Sequence, residues 1–298
     1  MKIFDCITYF DEPMLFDLRL NILEPYVDEF VVSEAKFTHS GQKKKINFNI
    51  NNFPRFKKKI THIIVDKEPE DLIEINTKLP LNQSQLRINA LKRIEKQRNE
   101  IKFFLNSKNE NDWVIYSDSD EIPNLTDINF SKIKNKVVLF KQNIFFYKFN
   151  LALPSLDWFG SKACKIKDLQ SFSHLRNTKS KKYPWWRVDI IFNNNKFINL
   201  KIINKGGWHF SMIKEPVDIY TKHKNDEHHD EFETTGIQIN DIKNMVKKAY
   251  ISYDHLADKK DQSKKWSKKN RVYLSKISDN RLPEYLIKNK IKYLNWFA

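Results

Sequence analysis

A chain of 298 residues with 40% hydrophobic and 13% aromatic side chains can bury a sizeable core and is not a disordered protein. Its 53 Lys and Arg against 37 Asp and Glu give a net charge of +16, which points to anionic partners, although Lys, Asn and Ile abound everywhere and glycine is scarce. Two cysteines with no CxxC pair exclude a disulfide scaffold and a thiolate zinc site, and fit a reducing compartment.

At the N-terminus, KIFDCITYF reads as a first strand rich in β-branched and aromatic residues. Asp5 interrupts its apolar run, so no signal peptide is expected. No run approaches ~18 apolar residues, so no transmembrane helix is expected either. These readings point to a cytoplasmic protein, with peripheral contact to an anionic membrane as an additional expectation. EPMLFDLRLNILEPY spaces Leu15, Leu18 and Ile22 as a helix does, with Pro13 in its first turn and Pro25 at its end. DEFVVSEA and HIIVD are a second and a third strand. A long helix follows from about Ser84 to Leu105, with an apolar stripe of Ile88, Leu91, Ile94, Ile101 and Leu105, and then the strand WVIYS. Strands separated by helices predict an α/β fold, its central sheet mostly parallel and covered by helices on both faces. From Lys136, KVVLFKQNIFFYKFNLAL and WWRVDIIFNNNKFINLKIIN read as longer strands that extend the sheet and shape an acceptor pocket. Residues 240–298 read as helices around the Lys-rich DKKDQSKKWSKKNR. No repeat and no linker divides the chain.

In parallel sheets, ligands bind at the carboxyl ends of strands, and YSDSDEIPN, residues 116–124, sits at one. Asp118, Asp120 and Glu121 repel one another, so a cation is expected among them. Carboxylates suit Mg²⁺ or Mn²⁺, which bridge diphosphate oxygens; a solvated acidic turn is the alternative. In NKGGWHFSM, Gly206 and Gly207 imply a tight turn or a close backbone approach. His209 beside them is either a satisfied core residue or a metal ligand. Arg98 falls inside the apolar stripe of the long helix and needs a partner, either Asp118 or a phosphate, unless it snorkels at the stripe's edge. Lys222, His223, His228 and His229 could neutralise a departing diphosphate or belong to a solvated loop. Isolated acids beside aromatic residues are candidate general bases. Asp189 in WWRVDIIF is the first candidate, the alternative being a structural partner for Arg187 or Arg176. Asp157, next to Trp158, is the second. Trp185 and Trp186 either stack on a sugar ring or fill the core.

Together these stretches resemble glycosyltransferase family 17, the family of the bisecting β-1,4-N-acetylglucosaminyltransferase. The similarity runs from DCITYFDEPMLFDLRLNILEPYVDEFVVSEAKFTHSGQKKKINF through Gln97, Arg98 and Asn99, then DSDEIP and GGWHFSM, to LPEYLIKNKIKYLNW. The resemblance implies a GT-A-like fold, a UDP-sugar donor, Mn²⁺ or Mg²⁺, and a glycan or glycolipid acceptor, with inversion at the anomeric carbon. Carried over by position, Asp118, Asp120 and His209 are the metal ligands. Glu34 and Thr38 lie near the nucleotide and Arg98 near its phosphates, while Lys222 and His228 match the family pattern only loosely. The implied domain spans residues 1–298: 1–125 is the nucleotide-binding half, 126–240 the acceptor and metal half, and 241–298 the C-terminal helices. The animal enzyme is a Golgi protein with a membrane anchor, whereas a cytoplasmic transferase building a lipopolysaccharide, capsule or similar glycan fits this chain better. Two rivals fit less well. A haloacid-dehalogenase-type phosphatase carries its DxD after the first strand, and a basic nucleic-acid-binding protein would want a clustered basic face, so no nucleic acid is expected.

Overall fold

The computed structural model describes residues 1–75, 83–181, 199–226, 228–254 and 266–298. Asp189, Arg187, Trp185 and Trp186 lie outside the described residues. The first half contains β1 (Ile3–Thr8), α1 (Pro13–Leu23), β2 (Glu29–Ala35), β3 (Ile60–Val65), α2 (Gln83–Asn99), α3 (Ile101–Leu105) and β4 (Trp113–Asp118). Next come β5 (Glu121–Pro123), β6 (Val137–Phe140), β7 (Gln142–Phe146), β8 (Leu151–Trp158), β9 (Lys162–Lys165) and α4 (Phe172–Asn177). The last part adds β10 (Leu200–Ile203), β11 (Gly207–Ser211), α5 (Pro216–Asn225), α6 (His229–Thr235), α7 (Ile239–Lys248), β12 (Tyr250–Ile251), β13 (Val272–Tyr273), β14 (Ser275–Lys276) and α8 (Glu284–Lys288).

The main sheet has the order β10-β6-β9-β4-β1-β2-β3. Pairings β4–β1, β1–β2, β2–β3 and β10–β6 are parallel, and only β9 runs against its neighbours. Alternation along β1 explains the helices on both faces. Phe4 and Cys6 pack with Ile101, Leu105, Phe172 and Leu175 on one side. Ile7 packs with Leu15, Leu18 and Leu20 on the other. A strand buried on both faces reads as a nearly continuous apolar run, as β1 and β4 do. The one charge inside β1 is answered within the core: the Arg19 guanidinium donates to both oxygens of Asp5 at 2.6 Å and, through Nη1, to the Glu121 carbonyl at 2.5 Å. The buried arginine thus ties α1 to the turn after β4.

While β6, β9 and β10 extend the main sheet, a second sheet, β14-β8-β7-β11-β5, is built from strands that follow β4. Its β11 lies between β7 and β5, and the two glycines make that possible. A Cβ on Gly206 would stand 2.5 Å from the Lys141 nitrogen, and one on Gly207, where φ is +124°, would stand 2.1 Å from the Ile122 carbonyl oxygen. The close approach expected of this pair is therefore present.

Two sequence expectations change. The helix expected over Ser84–Leu105 is broken at Glu100 into α2 and α3. Its stripe is also displaced, because Ile88 and Leu91 are exposed while Asn89, Ala90, Ile94 and Gln97 are buried. The buried amides saturate backbone groups. Asn89 bonds both the N–H and the carbonyl of Ile73 at 2.8 Å, and Gln97 Nε2 donates to the Ser33 carbonyl at 2.9 Å. Hydrogen bonding, not apolar periodicity, sets the inner face of α2. The described residues of 241–298 hold most of α7 and the short α8, but otherwise short strands and 3₁₀ turns rather than helices.

Candidate active site

The carboxyl ends of β1, β2 and β4 open into a cleft of about 310 Å³. Tyr9, Phe10 and Glu12 reach it from the β1–α1 connection, Thr38 and His39 from the segment after β2, and Arg98 from the end of α2. The β4–β5 turn brings Asp118, Asp120 and Glu121; Trp158, Arg176, His209, Lys222 and His228 close the other side.

The side-chain geometry answers the repulsion in the acidic turn. Asp118 Oδ2 accepts from Arg176 at 2.7 Å and Oδ1 from Arg98 at 3.3 Å. Burial would raise this carboxyl, but Arg176 and Arg98 outweigh it and hold it well below the usual carboxylate range. Arg176 also donates to Glu121 Oε1 at 2.9 Å, an oxygen shared with the Trp158 indole N–H at 2.6 Å. Asp120 Oδ2 accepts from Lys222 Nζ at 3.1 Å, and His209 Nε2 lies 3.5 Å from Asp120 Oδ1. Despite burial, Lys222 and His209 keep Asp120 ionised. In return, Asp120 and Glu12 raise Lys222, and Asp120 raises His209, against a burial effect of opposite sign. Lys222 also stands 3.1 Å from Glu12 Oε1, and Glu12 Oε2 accepts from Ser119 at 3.0 Å. The acids Glu12, Asp118, Asp120 and Glu121 are thus interleaved with Arg98, Arg176, Lys222 and His209.

Of the residues singled out in the sequence, Thr38, Arg98, Asp118, Asp120, His209, Lys222 and His228 line this one cleft. His228 Nδ1 meets Arg87 at 2.9 Å and Glu231 at 3.3 Å. Glu34 does not line it. It is buried, and its carboxylate accepts from the backbone of Asn47 and Phe48 at 2.8 and 2.9 Å and from Lys44, fastening the loop that carries Thr38. Asp157 does not line it either: its carboxylate is 63% exposed and pairs with Lys141 at 2.8 Å. Alternation along β8 points Trp158 inward instead. Sequence reading missed Glu12, which looked like the start of a helix. Arg176 was considered only as a partner for Asp189, although Asp118 and Glu121 hold it. Only the fold brings these pairs together.

Among the described residues, no group of three or more His, Cys, Asp or Glu side chains is arranged to hold a metal. Asp118, expected as a ligand, has both oxygens on arginines. Asp120 and His209 remain, a carboxylate oxygen and an imidazole nitrogen facing each other across 3.5 Å. That pair fits a Mg²⁺- or Mn²⁺-like ion that takes its other ligands from phosphate and water.

No curated protein matches the sequence. Similar solved structures include HddC from Yersinia pseudotuberculosis, at 8% identity over 70% of this chain and 91% of that one, with a TM-score of 0.32. HddC complexed with GMP-PN gives 10% identity, 68% and 91% coverage and a TM-score of 0.33. An active-site mutant of LgtC gives 14%, 66%, 72% and 0.34. The sequence profile described as Glycosyltransferase family 17 matches residues 1–182. That stretch covers more than half of the chain, from β1 through the acidic turn to Arg176, and the protein belongs to glycosyltransferase family 17.

Proposed function

We propose that this glycosyltransferase moves a sugar, N-acetylglucosamine by resemblance, from a UDP-sugar to a glycan or glycolipid hydroxyl with inversion, in a β-1,4-N-acetylglucosaminyltransferase-like reaction. The observation that carries this reading is the set of cations, Arg98, Arg176 and Lys222, in one cleft at the carboxyl ends of parallel strands. A leaving nucleoside diphosphate needs fixed positive charge where its own charge develops. Arg98 and Arg176 are held in place by Asp118, and Lys222 by Glu12 and Asp120, so they are oriented before the donor arrives. Phe10 and Thr38 line the same cleft toward β2 and are assigned to the nucleotide. A divalent ion on Asp120 and His209 would add Lewis-acid neutralisation of the diphosphate.

The acceptor hydroxyl must lose a proton as it attacks. Glu12, Asp118 and Asp120 are held below the usual carboxylate range by their cations and make weak bases. Asp157 is outside the cleft. Asp189, the first candidate read from the sequence, is kept as the proposed base. A phosphatase reading finds no support here, because Asp118, the nucleophile it would need, is clamped by two arginines.

The test is UDP release from a panel of UDP-sugars, with and without Mn²⁺, by the wild type, Asp120→Ala and His209→Ala. The expected result is Mn²⁺-dependent turnover of one UDP-sugar that both substitutions abolish. No turnover, together with no thermal shift from any UDP-sugar, would overturn the reading.

A further inference from the structure

Lys222 stands where it interferes with the ion that the proposed reaction uses. Its ammonium lies 3.1 Å from Asp120 Oδ2 and 3.1 Å from Glu12 Oε1. Asp120 is the same carboxylate whose other oxygen faces His209 Nε2. The Lys222 side chain is only 17% exposed, and Glu12 beside it is 1% exposed, so solvent screens little of what passes between them. A second cation on Asp120 would therefore sit against an ammonium held on the same group. A lysine ammonium is a compact charge on a flexible four-carbon stem with three donors. Among the described residues, Glu12 and Asp120 account for two of those donors, and the third is available to a ligand in the cleft that Lys222 lines.

From this geometry we infer that Lys222 makes divalent-cation binding and nucleoside-diphosphate binding depend on each other. Without the nucleotide, the ammonium holds Asp120 and opposes a second cation there. With the nucleotide, the diphosphate supplies anionic oxygens for both charges, the ammonium turns toward them, and Asp120 is released to the ion. Glu12 is a positioning residue in this scheme. It takes a share of the ammonium and so limits how firmly Lys222 holds Asp120. By linkage, the factor by which UDP tightens the ion equals the factor by which the ion tightens UDP. The inference rests on the proposed donor reading and adds to it an order of assembly: the ion and the nucleotide load together, and neither loads well alone.

The experiment is titration of Mn²⁺ into the whole protein, with and without UDP, followed by the loss of the free-Mn²⁺ paramagnetic resonance signal, with UDP binding measured separately by calorimetry. In the wild type, UDP should tighten Mn²⁺ by about 5- to 150-fold, the usual range of coupling between sites. In Lys222→Met, Mn²⁺ alone should bind more tightly than to the wild type, UDP alone more weakly, and the coupling factor should fall by ~5-fold or more, to the part that direct contact between ion and diphosphate supplies. Lys222→Arg, which keeps the charge, should retain the coupling. Glu12→Gln, which leaves the ammonium to Asp120, should weaken Mn²⁺ binding in the absence of UDP. Each variant's melting temperature confirms that it is folded. Independent binding of Mn²⁺ and UDP to the wild type, or unchanged coupling in folded Lys222→Met, overturns the inference and leaves the donor reading standing. Failure of UDP to bind the wild type, with or without Mn²⁺, overturns both.

Discussion

Consecutive side chains at the end of α2 serve different neighbours. Gln97 saturates the Ser33 carbonyl, Arg98 meets Asp118 and the Tyr116 hydroxyl, and Asn99 accepts from the Ser173 N–H at the start of α4. The helix end thus positions both arginines of the cleft, one directly and the other through α4. At the far end of α4, the Lys162 ammonium donates to the carbonyls of Arg176 and Thr178. Burial, reinforced by Arg176, pulls this lysine down to about 7. Its folded value lies below the unfolded one, so between pH ~7 and ~10.4 the unfolded chain holds a proton that the folded chain lacks, and stability rises with pH across that window. Below that window the full cost of the buried charge remains. Urea unfolding at several pH values should show the wild type gaining on Lys162→Met by up to ~1.4 kcal/mol per pH unit above 7. A difference independent of pH would refute the assignment. At this scale, the acidic turn and His209 were legible because they are local motifs beside punctuating residues. Glu12 and Arg176 were not, because their partners lie about a hundred residues and about sixty residues away in sequence.

Among elements, β11 does most to complete the site. It brings His209 between β5 and β7, and it can do so only because Gly206 and Gly207 let its first residues pass against Lys141 and Ile122. Gly207→Ala puts a Cβ into a carbonyl oxygen at a backbone angle that L-residues rarely adopt. It should cost about 2 kcal/mol or more in denaturant melts and move His209 away from Asp120, so UDP-sugar turnover should fall further than stability alone explains. A fully active, equally stable variant would show that the turn tolerates side chains. The glycine pair was readable from its rarity. The inner face of α2 was not, since a search for apolar spacing passes over Asn89 and Gln97, whose burial depends on backbone groups supplied by other segments. The break at Glu100 was missed for the same reason: Ile101 and Leu105 follow the core of α3 and α4, while Ile88 and Leu91 face solvent.

Across the molecule, the cleft belongs to both halves of the chain. Residues 1–182 match the family profile, yet His209 and Lys222 come from beyond it and complete the environment of Asp120. A fragment ending at residue 182 would leave β5 and β7 without β11, and β6 without β10. Such a fragment should show no cooperative thermal transition by circular dichroism, and a sharp transition would mean that the first half folds alone. The α/β class and the mostly parallel central sheet were legible because β1, β2, β3 and β4 are apolar runs separated by long intervals. The later strands extend the main sheet only in part, through β6, β9 and β10, and their split between two sheets was not legible, because β6 and β7 are separated in sequence by Lys141 alone and still join different sheets. Among the described residues no helix is long and apolar enough to cross a membrane.

The indole of Trp158 lies 4.9 Å from the His209 ring, tilted by 31°, and its N–H is bonded to Glu121. Whatever gains or loses a hold on His209 changes the surroundings of a fluorophore fixed beside it. The protein therefore carries its own optical reporter. Emission should change as the cleft fills, and subtracting the signal of Trp158→Phe removes the contribution of the other six tryptophans. Donors can then be ranked by light before any acceptor is known.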